Sequence, residues 1–193
     1  MSVNLLEAVQ KQLNYQPLQK IDPNTQEVVA DKSTPDEDRF SQAAIPAAII
    51  SLYKFSHTED GAVKILYRDA HSDWPSIIFG EKKNELFKKI AEYSSQPEED
   101  CIGKTSAIFS AAVSAIKEHI IPTDANITAV KDLLAGQRNT VLPYLPAEMQ
   151  LGKLLDDSTL DDRTNKMEGP ISNLMHSIGN IFSTSDDEIK KPD

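Results

Sequence analysis

Apolar residues recur every three or four positions along most of this chain, which is the spacing of α-helices. The first such segment predicts a helix over residues 3–13. A polar, proline-containing stretch over 15–39 predicts a long loop with at most one short helix. The run over 43–53 is apolar nearly all round, which predicts a central buried helix, with Pro46 in its first turn. The first quarter of the chain is therefore predicted to place one long helix at the centre of the fold.

The same spacing continues beyond this central helix. Further helices are predicted over 61–67, 84–93, 105–121 and 127–135. A connector over 69–82 carries a short apolar turn at 77–79, and Gly136 suits a left-handed cap after the helix that precedes it. Since helical spacing dominates, the predicted fold class is all-α and multihelical.

Two stretches of the chain can be aligned with two later ones. Ile45–Lys54 matches Phe109–Glu118, and Gly61–Leu66 matches Thr128–Leu133, each with small apolar residues in register. A helix pair leaves one apolar face uncovered, so two copies packed together provide the simplest burial. This predicts a duplicated helical domain over 1–155, with units at about 1–68 and 80–155. Chance similarity between alanine-rich helices is the alternative.

The remainder, 156–193, is predicted to hold a polar linker, an amphipathic helix and a disordered charged tail. The apolar stripe of that helix is a candidate partner surface, formed by Ile171, Leu174, Met175, Ile178 and Phe182. Alternatively, the stripe packs back onto the same chain. Trp74 is a second candidate partner contact, because tryptophan dominates many interfaces. Its alternative role is to pack into the core and fix the connector.

Charge and composition narrow the possible partners. The chain has 20 Lys and Arg against 30 Asp and Glu, a formal net charge of -10. Nucleic-acid affinity depends on clustered cations, so this balance disfavours DNA, RNA and anionic membrane surfaces as partners. The chain contains no run of 18 apolar residues, so no membrane span is predicted. The first residues lack the basic start that is typical of a signal peptide. A cytoplasmic location is therefore expected.

Motifs for catalysis and metal binding are scarce. The seven glycines form no phosphate loop, and the four histidines are far apart in sequence. Cys101 is the single cysteine and is expected to be a small buried hydrophobic residue. The aspartates over 156–162 lack the ligand spacing of a calcium loop. We therefore expect no catalytic residue, no metal, no cofactor and no enzymatic activity.

One segment resembles a known family. The pattern over 132–146, Asp-Leu-Leu-Ala-Gly-Gln-Arg-Asn-Thr-Val-Leu-Pro-Tyr-Leu-Pro, is similar to the signature of the bacterial domain-of-unknown-function family 937. The resemblance extends over roughly 5–155, although Arg138 stands where lysine is commoner and the stretch 17–39 is longer and more polar. It implies a multihelical fold similar to YidB-like proteins, and it implies no activity.

These observations favour a non-enzymatic helical interaction or scaffold module, with an unidentified protein partner or self-association. The alternative is a binding protein for an apolar small molecule or lipid held between the two units. Small residues on the two central helices allow either a close approach of helices or a cavity: Ala43, Ala44, Ala47, Ala48, Ala111 and Ala112.

Overall fold

The computed structural model describes residues 3–21, 34–121, 125–157 and 160, and in these ranges every regular element is a helix. The α-helices are α1 Leu5–Leu13, α2 Asp36–Ser56, α3 Glu59–Tyr67, α4 Trp74–Phe79, α5 Lys83–Ser94, α6 Glu98–Ile120, α7 Ile127–Val141 and α8 Leu151–Leu154. Short 3-10 turns cover Gly80–Lys82, Leu142–Tyr144 and Ala147–Met149. The all-α, multihelical prediction is confirmed.

Four helices begin with a side chain that caps the first turn. The capping oxygens of Asn4, Thr58, Asp73 and Asn126 each accept a backbone N–H two or three residues later, at 2.8–3.2 Å. These bonds satisfy donors that have no partner inside a helix, so the starts of α1, α3, α4 and α7 are fixed locally by sequence.

The two longest helices, α2 and α6, begin differently and earlier than their apolar periodicity predicted. Each follows a proline and opens with three acidic residues, at 36–38 and 98–100. Negatively charged side chains stabilise the N-terminus of a helix, where the helix dipole is positive. The acidic residues therefore extend each helix before its apolar face begins. Pro46 therefore lies in the interior of α2, and its predicted place in the first turn was wrong.

Two further helix predictions need correction. Gly136 does not cap α7, because the helix continues to Val141 and buries Gln137 and Val141. The connector over 69–82 is more ordered than predicted, since its apolar turn belongs to α4. In both cases tertiary burial extends helical structure past a local breaker or turn signal.

The core forms around α2. This helix contacts α1, α3, α5, α6 and α7, and buried side chains from all of them belong to one hydrophobic cluster. Helices α2 and α6 contact each other, and the small residues named above on them are buried: Ala43, Ala44, Ala47, Ala48, Ala111 and Ala112. The aligned stretches of the chain fall on α2 with α3, and on α6 with α7.

Two buried glutamine side chains hold the N-terminal segment against this core. Gln137 on α7 accepts a hydrogen bond from the Leu5 N–H at 3.0 Å and donates one to the Val3 carbonyl at 2.8 Å. Gln42 on α2 accepts from the Gln19 N–H at 2.8 Å and donates to the Gln19 and Tyr144 carbonyls at 3.0 and 2.7 Å. The Gln137 amide thus satisfies peptide groups at the start of α1, and the Gln42 amide joins the segment after α1 to the turn that follows α7.

Candidate functional site

One groove in the described part of the chain lies along one face of α7, and we call it the α7 groove. It encloses about 490 Å³ between this face, the start of α1 and the end of α6. Its lining consists of Val3, Asn4, His119, Ile120, Ala129, Asp132, Leu133, Gly136, Gln137 and Thr140. The lining positions on α7 recur at helical spacing, whereas Val130, Leu134 and Val141 on an adjoining face are buried in the core. Helix α7 therefore presents one face to the core and another to an open groove.

The α7 groove combines an apolar base with polar groups. Leu133 is half-buried and Ile120 is buried, while Asp132 and Thr140 are exposed. Gly136 lies between them along α7, away from the helix ends, and a methyl group added there would meet no other atom within 4 Å. The fold thus leaves open space where almost any other residue would project a side chain. Such a site offers an apolar contact, hydrogen-bonding groups and one negative charge to a ligand.

A second groove, the exit groove, lies where the described chain ends. It encloses about 300 Å³ and is lined by Lys54, Phe55, Thr58, Ile78, Phe79, Lys82, Leu154, Leu155 and Asp156. The Lys82 Nζ lies 2.8 Å from the Asp156 carboxylate, and the Lys54 Nζ lies 2.7 Å from that of Asp157. These ion pairs join the last described residues to α2 and to the turn after α4.

A third, smaller groove of about 260 Å³ lies beside the start of α2 and includes Arg39 and Tyr93. Burial, reinforced by Glu148, raises the pKa of the Tyr93 hydroxyl to about 12, although Arg39 acts in the opposite direction. Tyr93 is therefore a protonated hydroxyl at neutral pH and a possible hydrogen-bond donor. The Arg39 guanidinium pairs with Asp36, and its Nε is buried without a hydrogen-bond partner in the described ranges.

The structure places Trp74 in the core. Its side chain is fully buried, and the indole Nε1 donates to the Ala70 carbonyl at 2.9 Å. In this structure Trp74 therefore offers no exposed partner surface, and its alternative role of fixing the connector agrees with the geometry. The other candidate contact residues, Ile171, Leu174, Met175, Ile178 and Phe182, lie outside the described residues.

Cys101 is buried, as expected, and its Sγ lies 3.9 Å from the Ser94 hydroxyl. Burial raises the pKa of the Cys101 thiol, which reduces the thiolate population. Asp156 and Asp157 were expected in a solvated acidic linker, yet they pair with lysines of the helical body. Among the described residues, no three His, Cys, Asp or Glu side chains are grouped so that they could hold a metal ion.

None of the grooves described above is lined by the small alanines of α2 and α6. The α7 groove was not predicted from the sequence, although five of its ten lining residues lie within the pattern over 132–146. Gly136 is the residue that could have indicated the groove, because a glycine within a helix leaves an open position on the helix surface.

The chain matches no protein-family model, no curated protein and no solved structure. The resemblance to family 937 therefore stays a prediction. Within the described ranges, no helix is both long enough and apolar enough to cross a membrane.

Proposed function

We propose that this chain is a cytoplasmic, non-enzymatic helical module that binds a short segment of another protein, or of a second copy of itself, in the α7 groove. The observation that supports the proposal is the two-sided character of α7. One face anchors the helix in the core, and the other combines Leu133, Asp132 and Thr140 around the open position at Gly136. This arrangement resembles the groove of helix-binding or peptide-binding proteins.

The chemistry of the groove specifies the kind of segment that fits. An apolar anchor would contact Ile120 and Leu133, and a cationic or hydrogen-donating group would face the exposed Asp132. The net charge of -10 favours association with a basic partner, mainly by raising the association rate. Because charge pairs at a rim contribute little to affinity, the apolar anchor is expected to dominate binding.

A matched pair of substitutions on α7 tests this proposal. Gly136→Trp fills the groove without a steric clash at its Cβ, whereas Ala135→Trp adds the same side chain at an exposed position that does not line the groove. Cross-linked complexes isolated with Gly136→Trp should lack the partner that wild type and Ala135→Trp both retain. Equal recovery with all three proteins contradicts the proposed surface.

Two other results would replace the proposal with a different function. A co-purifying apolar ligand, detected by native mass spectrometry of freshly purified protein, would favour the small-molecule alternative. Turnover of a small molecule that is abolished by substituting a polar cluster, with folding intact, would identify an enzyme.

A further inference from the structure

The exit groove is a partly exposed apolar surface beside the point where the described chain ends. Phe55, Ile78 and Leu155 are half-buried there, above the buried side chains of Phe79 and Leu154. Leu160, the last described residue, is buried and its N–H donates to the Asp157 carbonyl at 3.1 Å. The chain thus leaves the helical body next to an apolar surface that the described residues do not cover.

We propose that the segment 171–182 of the same chain docks in this exit groove. Ten residues separate Leu160 from Ile171. A flexible linker of that length has a root-mean-square span of about 17 Å, and fully extended it reaches about 33 Å. A short flexible linker gives an effective concentration in the millimolar range, so even a weak apolar contact is populated within one molecule.

Charge also favours this occupant. Both lysines of the exit groove are paired with carboxylates of the same chain, Lys82 with Asp156 and Lys54 with Asp157. The surface is therefore locally neutral, and a charged occupant would find no free counter-charge. The segment 171–182 contains no Asp, Glu, Lys or Arg, although charged residues are frequent on both sides of it.

The apolar stripe of this segment provides the contact. Ile171, Leu174, Met175, Ile178 and Phe182 recur at helical spacing, so a helix would present them together. Burial of two or three such side chains against Phe55, Ile78 and Leu155 supplies the driving force for docking. The inference is independent of the α7 groove, so either proposal can fail alone.

Disulfide trapping tests the docking directly. In a Cys101→Ala background, Thr58→Cys places a thiol at the exit groove and Met175→Cys places one on the segment. The matched control combines Met175→Cys with Thr140→Cys, which lies in the α7 groove. We expect an intramolecular disulfide that forms at least about tenfold faster in the Thr58 pair than in the control. Equal rates overturn the proposal, and a disulfide between two chains identifies a second copy as the occupant and overturns it too.

Limited proteolysis of the full chain provides a second measurement. Chymotrypsin cleavage after Leu174 and Phe182 should be slow in wild type and at least about tenfold faster in Ile78→Glu, because a charge in the groove releases the segment. Ile121→Glu, at a largely exposed isoleucine outside the groove, should cleave like wild type. Unchanged cleavage in Ile78→Glu, with the helical signal intact, overturns the proposal.

Discussion

Replacing Gln137 with methionine tests whether one buried amide fixes the start of the chain. The substitution keeps the length of the side chain and removes both hydrogen bonds, at 3.0 Å from the Leu5 N–H and at 2.8 Å to the Val3 carbonyl. Leu5 is fully buried, so water cannot replace the acceptor, and an unsatisfied buried donor costs about 1–3 kcal/mol. The Val3 carbonyl is partly exposed and can be hydrated, so its lost bond costs about 1 kcal/mol. We expect Gln137→Met to lower the free energy of unfolding by about 2–4 kcal/mol.

The assay is urea denaturation followed by the helical circular dichroism signal. With a urea m-value of about 2 kcal/mol per molar, the midpoint should fall by about 1–2 M and the m-value should stay unchanged. Gln10→Met is the matched control, because the Gln10 amide donates to the Gln16 carbonyl in an exposed contact, where water can substitute. A loss below about 0.5 kcal/mol in Gln137→Met would refute the assigned role of the amide.

A second variant, Gln137→Glu, tests the same two hydrogen bonds through the pH dependence of the free energy of unfolding. The protonated carboxyl can still accept from Leu5 and donate to Val3, whereas the carboxylate can only accept and faces the Val3 carbonyl oxygen. The folded-state pKa is therefore raised above the unfolded value of about 4.3. The stabilisation by this carboxyl group is complete below the unfolded-state pKa and is lost as the pH rises through the folded-state pKa. The stability deficit relative to wild type should thus grow from about pH 4 to about pH 7, and a deficit that shrinks over this window contradicts the geometry.

Three further predictions concern two helix glycines, Trp74 and Cys101. Gly61→Ala should destabilise the protein by about 1–3 kcal/mol, because the added Cβ would overlap the Phe55 carbonyl oxygen. Gly136→Ala should stabilise the protein by up to about 1 kcal/mol, because alanine favours the helix and its Cβ meets no other atom there. Urea midpoints that move in the same direction for the two variants would contradict this prediction. Trp74→Ala should cost about 3–5 kcal/mol by thermal or urea unfolding, and a near-neutral effect would mean that the indole does not fix the connector. Alkylation of Cys101 at about pH 8 should be at least about a hundredfold slower in native than in unfolded protein, and equal rates would show that the thiol is accessible.

Much of the helical fold could be predicted because the apolar positions of α1, α5 and α7 recur at helical spacing. The starts of α2 and α6 were predicted too late, because their acidic first turns carry no apolar periodicity. A different signal was present there, a proline followed by three acidic residues, and it marks the positive end of a helix dipole.

The grooves and the glutamine contacts could not be predicted in the same way. Gln137 is a polar residue between Leu134 and Val141 in the buried row of α7. Its partner Leu5 lies 132 residues away, so only the folded chain shows the pairing. The ion pairs of Asp156 and Asp157 join similarly distant segments, and local sequence shows only an acidic stretch. Long-range polar contacts depend on how the helices are arranged, which periodicity alone does not specify.

The pairing of Leu5 with Gln137 also bears on how the chain acquires its structure during synthesis. Helix α1 packs against α6, and Gln137 of α7 anchors its start, so α1 is synthesised 132 residues before the side chain that binds the Leu5 N–H. At 5–20 residues per second, roughly, it waits several seconds or more for that side chain. During that interval α2 is the native partner already synthesised, and the part of α1 that packs against α6 is left uncovered, so binding by a chaperone would be most useful there.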